Sequence, residues 1–270
     1  MIYCQLMGGL GNQLFQIFAT IAYALKHEQT FAFPNSRVLQ IGKDRITYWE
    51  TFLSGLNKYT INSNPPINSS YGENTFHFKN IPPIKKNQDM ILNGYFQSYK
   101  YFHEYYNEIC DLIQLDEQKV MILIKYPDII SFHNNTISLH FRISDYKNNP
   151  NYHPVMSYEY YKNSLQFILE KNKDKDKDKD NCSQNESSYT NKVLYFYEKD
   201  DIEDVLLIIN RLIEEFPQVI FSGIDVNICD YEQMLIMSLC NHNIIANSTF
   251  SWWGAYFNSN PNKIVYYPDI

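Results

Sequence analysis

The opening of the chain constrains its fold most. Residues 2–6 form a short apolar run of the kind that makes a buried strand, and Gly8, Gly9, Leu10, Gly11 and Asn12 follow at once. From Gln13 the apolar residues Leu14, Ile17, Phe18, Ile21, Ala22 and Leu25 recur at the three- and four-residue spacing of a helix lying on a sheet. Strand, glycine turn and helix in that order open an α/β unit. Three of the nine glycines sit in this turn. They serve either a positive φ in a tight turn or the close approach of a ligand to the backbone at a helix N-terminus. The spacing stops short of G-x-G-x-x-G, because Leu14 stands where the third glycine belongs. The loop alone therefore does not establish a nucleotide site.

The alternation of strand and helix continues downstream. Residues 34–88, rich in Pro, Asn and Ser, read as loops and short elements. Residues 90–95 read as a strand ending in Gly94, 101–109 start a helix, and 120–125 keep helical character before Pro127. A second series follows, with strands expected at 136–141, 193–197, 219–221 and 243–246 and helices at 158–169, 204–216 and 231–240. This pattern predicts parallel sheets covered by helices, in an N-terminal domain of residues 1–135 and a C-terminal domain of residues 136–270. Residues 171–191 interrupt it with the run KNKDKDKDKDN, whose alternating charges bury no apolar surface and predict a mobile surface loop. Asp174, Asp176, Asp178 and Asp180 imitate a metal site, but lysines compete for each carboxylate and no glycine orders the turn, so no metal is expected there.

Bulk composition removes whole classes of function. A net charge of −7 disfavours a polyanion-binding surface, so nucleic acid is not an expected partner. No signal-peptide pattern opens the chain and no run of eighteen apolar residues occurs in it, so no integral membrane segment is expected. Cys4, Cys110, Cys182, Cys229 and Cys240 are odd in number, scattered and without C-x-x-C spacing, which predicts neither a disulfide framework nor a zinc site. A cytoplasmic location fits these features, and the sequons at Asn68, Asn134 and Asn247 then carry no meaning. The aromatic content is high, with 23 tyrosines, and core packing accounts for most of it.

Two polar stretches directly follow predicted strands, where ligands bind in open α/β sheets. One is His140-Phe141-Arg142-Ile143-Ser144-Asp145-Tyr146, whose guanidinium suits a pyrophosphate through two parallel hydrogen bonds. Its alternative reading is a surface arginine paired with Asp145. The other is Asn247-Ser248-Thr249-Phe250-Ser251-Trp252-Trp253-Gly254, which offers hydroxyls and amides for phosphate at a helix start, or simple N-capping over buried tryptophans.

Taken with residues 8–16, Gly94-Tyr95-Phe96-Gln97-Ser98 and Asp200-Asp201-Ile202-Glu203, these stretches resemble the alpha-1,2-fucosyltransferase family, glycosyltransferase family 11, over nearly the whole chain. The resemblance implies a GT-B fold of two Rossmann-like domains, with the acceptor on the N-terminal side and GDP-fucose on the C-terminal side. It implies inverting transfer of L-fucose to a glycan hydroxyl, alpha-1,2 to galactose or a similar sugar, with no metal and no cofactor beyond the donor. The donor-binding residues it implies are Gly9, Gly11, Asn12, His140, Arg142, Asp200, Asp201, Asn247, Ser248, Thr249 and Ser251. Arg142 is expected to meet the charge that grows on the leaving diphosphate, with Asp145 and His153 as candidates for a base.

The chain departs from the family's His-x-Arg-Arg-Gly-Asp-Tyr pattern, with Ile143 and Ser144 in place of the second Arg and the Gly. That removes one cation near the donor, and restoring it as Ile143→Arg is expected to tighten GDP. The chain also ends earlier than its relatives usually do. Two other readings stay open at this point. One is a metal-dependent transferase using Glu198-x-Asp200; the other is a catalytically silent sugar-nucleotide-binding protein.

Overall fold

The computed structural model describes residues 1–40, 43–63, 65, 69–75, 77–85, 88–129, 135–148, 150–177 and 191–269. The chain divides into two compact units, Met1–Val120 and Met121–Ile270. The sequence placed a boundary at 135, ahead of the first strand of the second sheet, whereas the division falls inside a helix.

The first unit contains β1 (Ile2–Cys4), α1 (Leu10–Lys26), β2 (Phe31–Pro34), β3 (Val38–Leu39), β4 (Arg45–Ile46), β5 (Thr60–Ile61), β6 (Ser69–Gly72), β7 (Met90–Asn93) and α2 (Tyr106–Leu112). A third helix, α3 (Leu115–Lys125), spans the division. The main sheet runs β5-β2-β1-β7-β6, every pair parallel, with β3 and β4 forming a separate antiparallel ribbon. Parallel strands need crossover connections, and α1 supplies the first. It is covered on nearly every side: Leu14, Ile17, Phe18 and Ile21 are buried, and the Phe102 ring lies edge-on to Phe18 at 5.3 Å. The helix expected over 101–109 starts later. Two 3-10 turns, Tyr99–Tyr101 and His103–Tyr105, precede α2.

The second unit contains β8 (Asn135–His140), α4 (Ser144–Lys147), α5 (Tyr158–Lys177), β9 (Asn191–Phe196), α6 (Ile202–Glu215), β10 (Ile220–Gly223), α7 (Asp230–Ser238), β11 (His242–Ile244), α8 (Thr249–Tyr256) and β12 (Val265–Tyr266). Its sheet runs β10-β9-β8-β11-β12, again all parallel. β8 is central and buried on both faces from Thr136 to His140, although polar and apolar residues alternate along it. Its Ile137 and Leu139, with Phe141 just after it, pack with Tyr161, Leu165 and Ile168 of α5 and Val205 and Ile209 of α6. The α5 helix continues past the expected break at 171, reaching Lys177, since extending a formed helix costs little even without an apolar face. The rest of the charged run, 178–190, lies outside the described residues, as do Asn68 and Asn134.

Both sheets therefore have a doubly wound order in which the strand sequence reverses beside the first strand, between β1 and β7 in one and between β8 and β11 in the other. Ligands of open α/β sheets bind beyond the carboxyl ends of the strands at such a reversal. No helix among the described residues is long and apolar enough to cross a membrane.

Candidate functional site

In the second unit the two polar stretches leave the sheet from β8 and β11, the two strands that flank the reversal. They touch: the His140 and Phe250 rings stand 5.6 Å apart. Each stretch is shaped by local chemistry. Ser248, in extended conformation, caps α8 by accepting a hydrogen bond from the Phe250 N–H at 3.3 Å. Trp253 is fully buried, and Gly254 lets α8 press against α7, since a Cβ there would stand 2.8 Å from Met237 Cβ. Asn247, Ser248 and Thr249 are thereby left half-buried at the start of α8, where backbone amides and the helix field favour an anion.

The β8 loop is held by charge. The Asp201 carboxylate, 1% exposed, accepts the N–H groups of Ile143 at 3.2 Å and Ser144 at 2.9 Å, and the Ser144 hydroxyl as well. Lys147 pairs with Asp204 at 2.6 Å. Between these anchors the Arg142 guanidinium sits 5.4 Å over the Tyr146 ring. Its Nη1 donates to Glu198 and its Nη2 to Asp145 at 2.6 Å. Burial works against the charge on Arg142, but the Asp145 hydrogen bond and the pull of Glu198 outweigh it and raise the pKa. The His153 ring also stacks on Tyr146, at 4.6 Å.

Several residues expected to touch a donor are committed elsewhere in this arrangement. Asp201 fixes the backbone of the loop that carries Arg142. Ser251 is buried and its hydroxyl donates to the Ser248 carbonyl at 3.4 Å, bracing the α8 start. His140 is buried, and burial followed by the nearby Arg142 charge pushes its pKa down to about 3, so the ring is neutral. Its Nδ1 has no hydrogen-bond partner among the described residues. Asp200 is exposed on a 3-10 turn, Lys199–Asp201. Asp145 is engaged with Arg142, and His153 is exposed.

Ile143 bears on the expectation drawn from the missing second arginine. It is 3% exposed and belongs to the apolar core of the unit, so an arginine there would be buried rather than presented to a ligand. Tyr146 and Glu198, the two groups in contact with Arg142 besides Asp145, were not assigned to the arginine from sequence. The signal for Glu198 lay in the strand register, which no residue pattern displays.

The first unit carries its own pair of turns, after β1 and β7. Gly8 takes a φ of 81° and Gly9 precedes α1, while Gly11 lies inside the first turn of the helix rather than in the loop. A Cβ on Gly9 would meet nothing within 4 Å. Fully buried Gln16 donates to the Met7 carbonyl at 2.8 Å and accepts the Met7 N–H at 3.0 Å. Gln13 donates to Gly8 and Ile46 carbonyls at 3.0 and 2.9 Å. Asn12 accepts from Gln97 at 2.9 Å, which joins the glycine turn to the turn after β7. That second turn is closed by Glu73, whose carboxylate accepts the N–H groups of Tyr95 and Phe96 at 2.9 and 2.8 Å.

Comparison with known proteins agrees with this frame. The family model described as glycosyl transferase family 11 matches residues 200–267. An O-antigen biosynthesis glycosyltransferase of Escherichia coli, WbnK, is 26% identical over 99% of this chain and 93% of its own length. An alpha-1,2-colitosyltransferase of Escherichia coli is 25% identical over 94% of this chain and 87% of its own. Among solved structures, POFUT1 in complex with GDP-fucose covers the whole chain and 98% of its own, with a TM-score of 0.56 at 12% identity. A mutant of Arabidopsis thaliana FUT1 in complex with GDP covers 99% of this chain and 71% of its own, with a TM-score of 0.52 at 10% identity. In fold the chain is α/β and GT-B-like, and in sequence its residues 200–267 resemble glycosyl transferase family 11.

Proposed function

We propose that this protein is a glycosyltransferase that moves L-fucose from GDP-fucose to a hydroxyl of a glycan acceptor, with inversion at the anomeric carbon and without a metal. The observation that carries the reading is the convergence, at the reversal of the second sheet, of the β8 stretch that carries Arg142 and the β11 stretch that carries the half-buried polar turn at the start of α8, in contact through His140 and Phe250. Arg142 and the Asn247-Ser248-Thr249 turn supply the two kinds of group that grip a diphosphate: a planar cation and helix-start amides with hydroxyls.

As the sugar–oxygen bond breaks, negative charge accumulates on the leaving diphosphate. A cation already in place stabilises that charge without reorganising, an effect commonly worth about 2.7 to 4 kcal/mol per well-placed donor. Asp201 keeps the loop in position and Tyr146 covers the guanidinium face. Asp145 fits orientation of Arg142 better than proton removal, because its carboxylate is already bonded to the cation. An oxocarbenium-like transition state with late proton transfer asks little of a base. The linkage suggested by the resemblance is alpha-1,2 to galactose or a similar sugar.

A second reading keeps the site and changes the sugar. The similarity to an alpha-1,2-colitosyltransferase across 94% of the chain supports a colitose donor in place of fucose. The Glu198-x-Asp200 metal reading loses support, since the Glu198 carboxylate is engaged by Arg142.

The deciding experiment measures GDP release and product formation from GDP-fucose and GDP-colitose, with and without a galactose-terminated acceptor, with and without a chelator. Acceptor-dependent turnover that survives chelation is expected. Turnover lost on chelation and restored by manganese overturns the metal-free reading, and GDP binding without transfer to any acceptor overturns the enzymatic one.

A further inference from the structure

Glu198 and Arg142 meet because of strand register. β8 and β9 run parallel with His140 opposite Phe196, and Arg142 and Glu198 each stand two residues beyond that pair. The Phe141 N–H bonds to the Phe196 carbonyl at 2.8 Å, so the two strands leave the sheet side by side. The Glu198 carbonyl in turn accepts the Asp201 N–H at 2.8 Å, which ties its backbone to the residue that anchors the Arg142 loop.

The two partners are unequally exposed. The Arg142 side chain is 19% exposed and that of Glu198 is 48% exposed. Arg142 Nε is buried and without a hydrogen-bond partner among the described residues. An incoming anion therefore reaches the guanidinium at Nη1 and Nη2, and a carboxylate already stands on each. Asp145, whose side chain is 50% exposed, lies three residues after Arg142 at the start of α4, on the same stretch of chain. Glu198 comes from the other strand and has solvent behind it.

Resting on the reading of Arg142 as the diphosphate ligand, we propose that Glu198 occupies the phosphate position on Arg142 until the donor arrives, so that donor binding exchanges one anion for another. Glu198 is then a positioning and specificity-determining residue. It holds the guanidinium in the orientation a phosphate needs. It also raises the threshold for any anion that brings charge alone, because such a ligand must displace the carboxylate without help. A nucleoside diphosphate draws on further contacts, such as those at the start of α8, and meets that threshold.

Calorimetric titration of the full chain with GDP and with inorganic pyrophosphate tests this. Glu198→Gln and Glu198→Ala are expected to tighten GDP roughly fivefold, the upper end of what a partly exposed ion pair contributes. Pyrophosphate binding is expected to strengthen at least as much. Glu203→Gln, which removes one exposed negative charge nearby without freeing Arg142, controls for general electrostatics and is expected to give much less. Thermal melts of each variant report folding. In Arg142→Ala/Glu198→Gln the gain is expected to vanish. If Arg142→Ala alone leaves GDP affinity unchanged, the diphosphate reading itself fails. If Arg142→Ala weakens GDP but the Glu198 variants do not tighten it, only the exchange fails. A gain matched by Glu203→Gln, or one that persists in the double variant, also overturns the exchange.

Discussion

The turn after β1 and the turn after β8 stand at equivalent places in two similarly wound sheets, but different chemistry holds each in place. In the first unit the pins are neutral amides: Gln13, Gln16 and the Asn12–Gln97 pair. In the second they are charges: Asp201 on the loop backbone, Glu198 and Asp145 on Arg142, and Lys147 on Asp204. A buried amide network is indifferent to salt and pH and has nothing to exchange with an ionic ligand. A network of ion pairs near the surface is weaker, is screened by salt, and hands its partners over to another ion. On the proposed reading, the same fold position serves as scaffold in one unit and as anion site in the other.

The sharpest way to break this contrast is Arg142→Ala. It is expected to lower kcat/KM at least about a hundredfold, or 2.7 kcal/mol, with an unchanged melting temperature. Arg142→Lys should not rescue it, because lysine keeps the charge but loses the planar two-point grip. Near wild-type transfer by Arg142→Ala would reduce the charged turn to scaffold, like its counterpart. Next in size is Ile143→Arg. Burying an unpaired cation in the apolar core should cost on the order of 3 kcal/mol, read by chemical denaturation, whatever it does for GDP. Tighter GDP binding with unchanged stability would show that the position opens toward the ligand.

Gln16→Leu tests the neutral side. It strands the Met7 N–H and C=O and should cost roughly 1 to 3 kcal/mol, with little dependence on salt. A loss that shrinks steeply at high salt would contradict the contrast. Near neutral pH the smallest effect is the onset of a pH slope from His140. Its folded pKa lies near 3, below the ordinary histidine value, so between those values the unfolded chain binds the extra proton. Stability should therefore fall as pH drops from about 6.5 toward 3, by at most about 1.4 kcal/mol per pH unit. His140→Phe should flatten that part of the denaturation-versus-pH profile, and an unchanged slope would assign it to the carboxylates.

Local pattern carried much of the fold. Apolar spacing from Gln13 to Leu25 located α1, and alternation of strand and helix from residue 136 onward predicted that the second sheet is parallel. It failed where structure depends on partners distant in sequence. The start of the expected 101–109 helix breaks into 3-10 turns packed against α1, and α5 runs on through charged residues that no amphipathic rule would include. At the site, the position of Arg142 was legible because a strand end is a local feature. The burial of Ile143, the diversion of Asp201 and Ser251 to structural work, and the pairing of Glu198 with Arg142 were not. Each depends on register between strands or on which face of a loop turns inward.

The contact at Gly254 sets the reach of the α8 start. With only a hydrogen where other residues carry a methyl group, α8 lies close enough to α7 that an added Cβ would meet Met237 Cβ at 2.8 Å. The Asn247-Ser248-Thr249 turn is rigidly continuous with the other end of that helix. The thickness of one residue, on the side of α8 turned away from solvent, therefore acts as a spacer. Enlarging it would carry the turn outward as a body while leaving every side chain of the turn chemically intact.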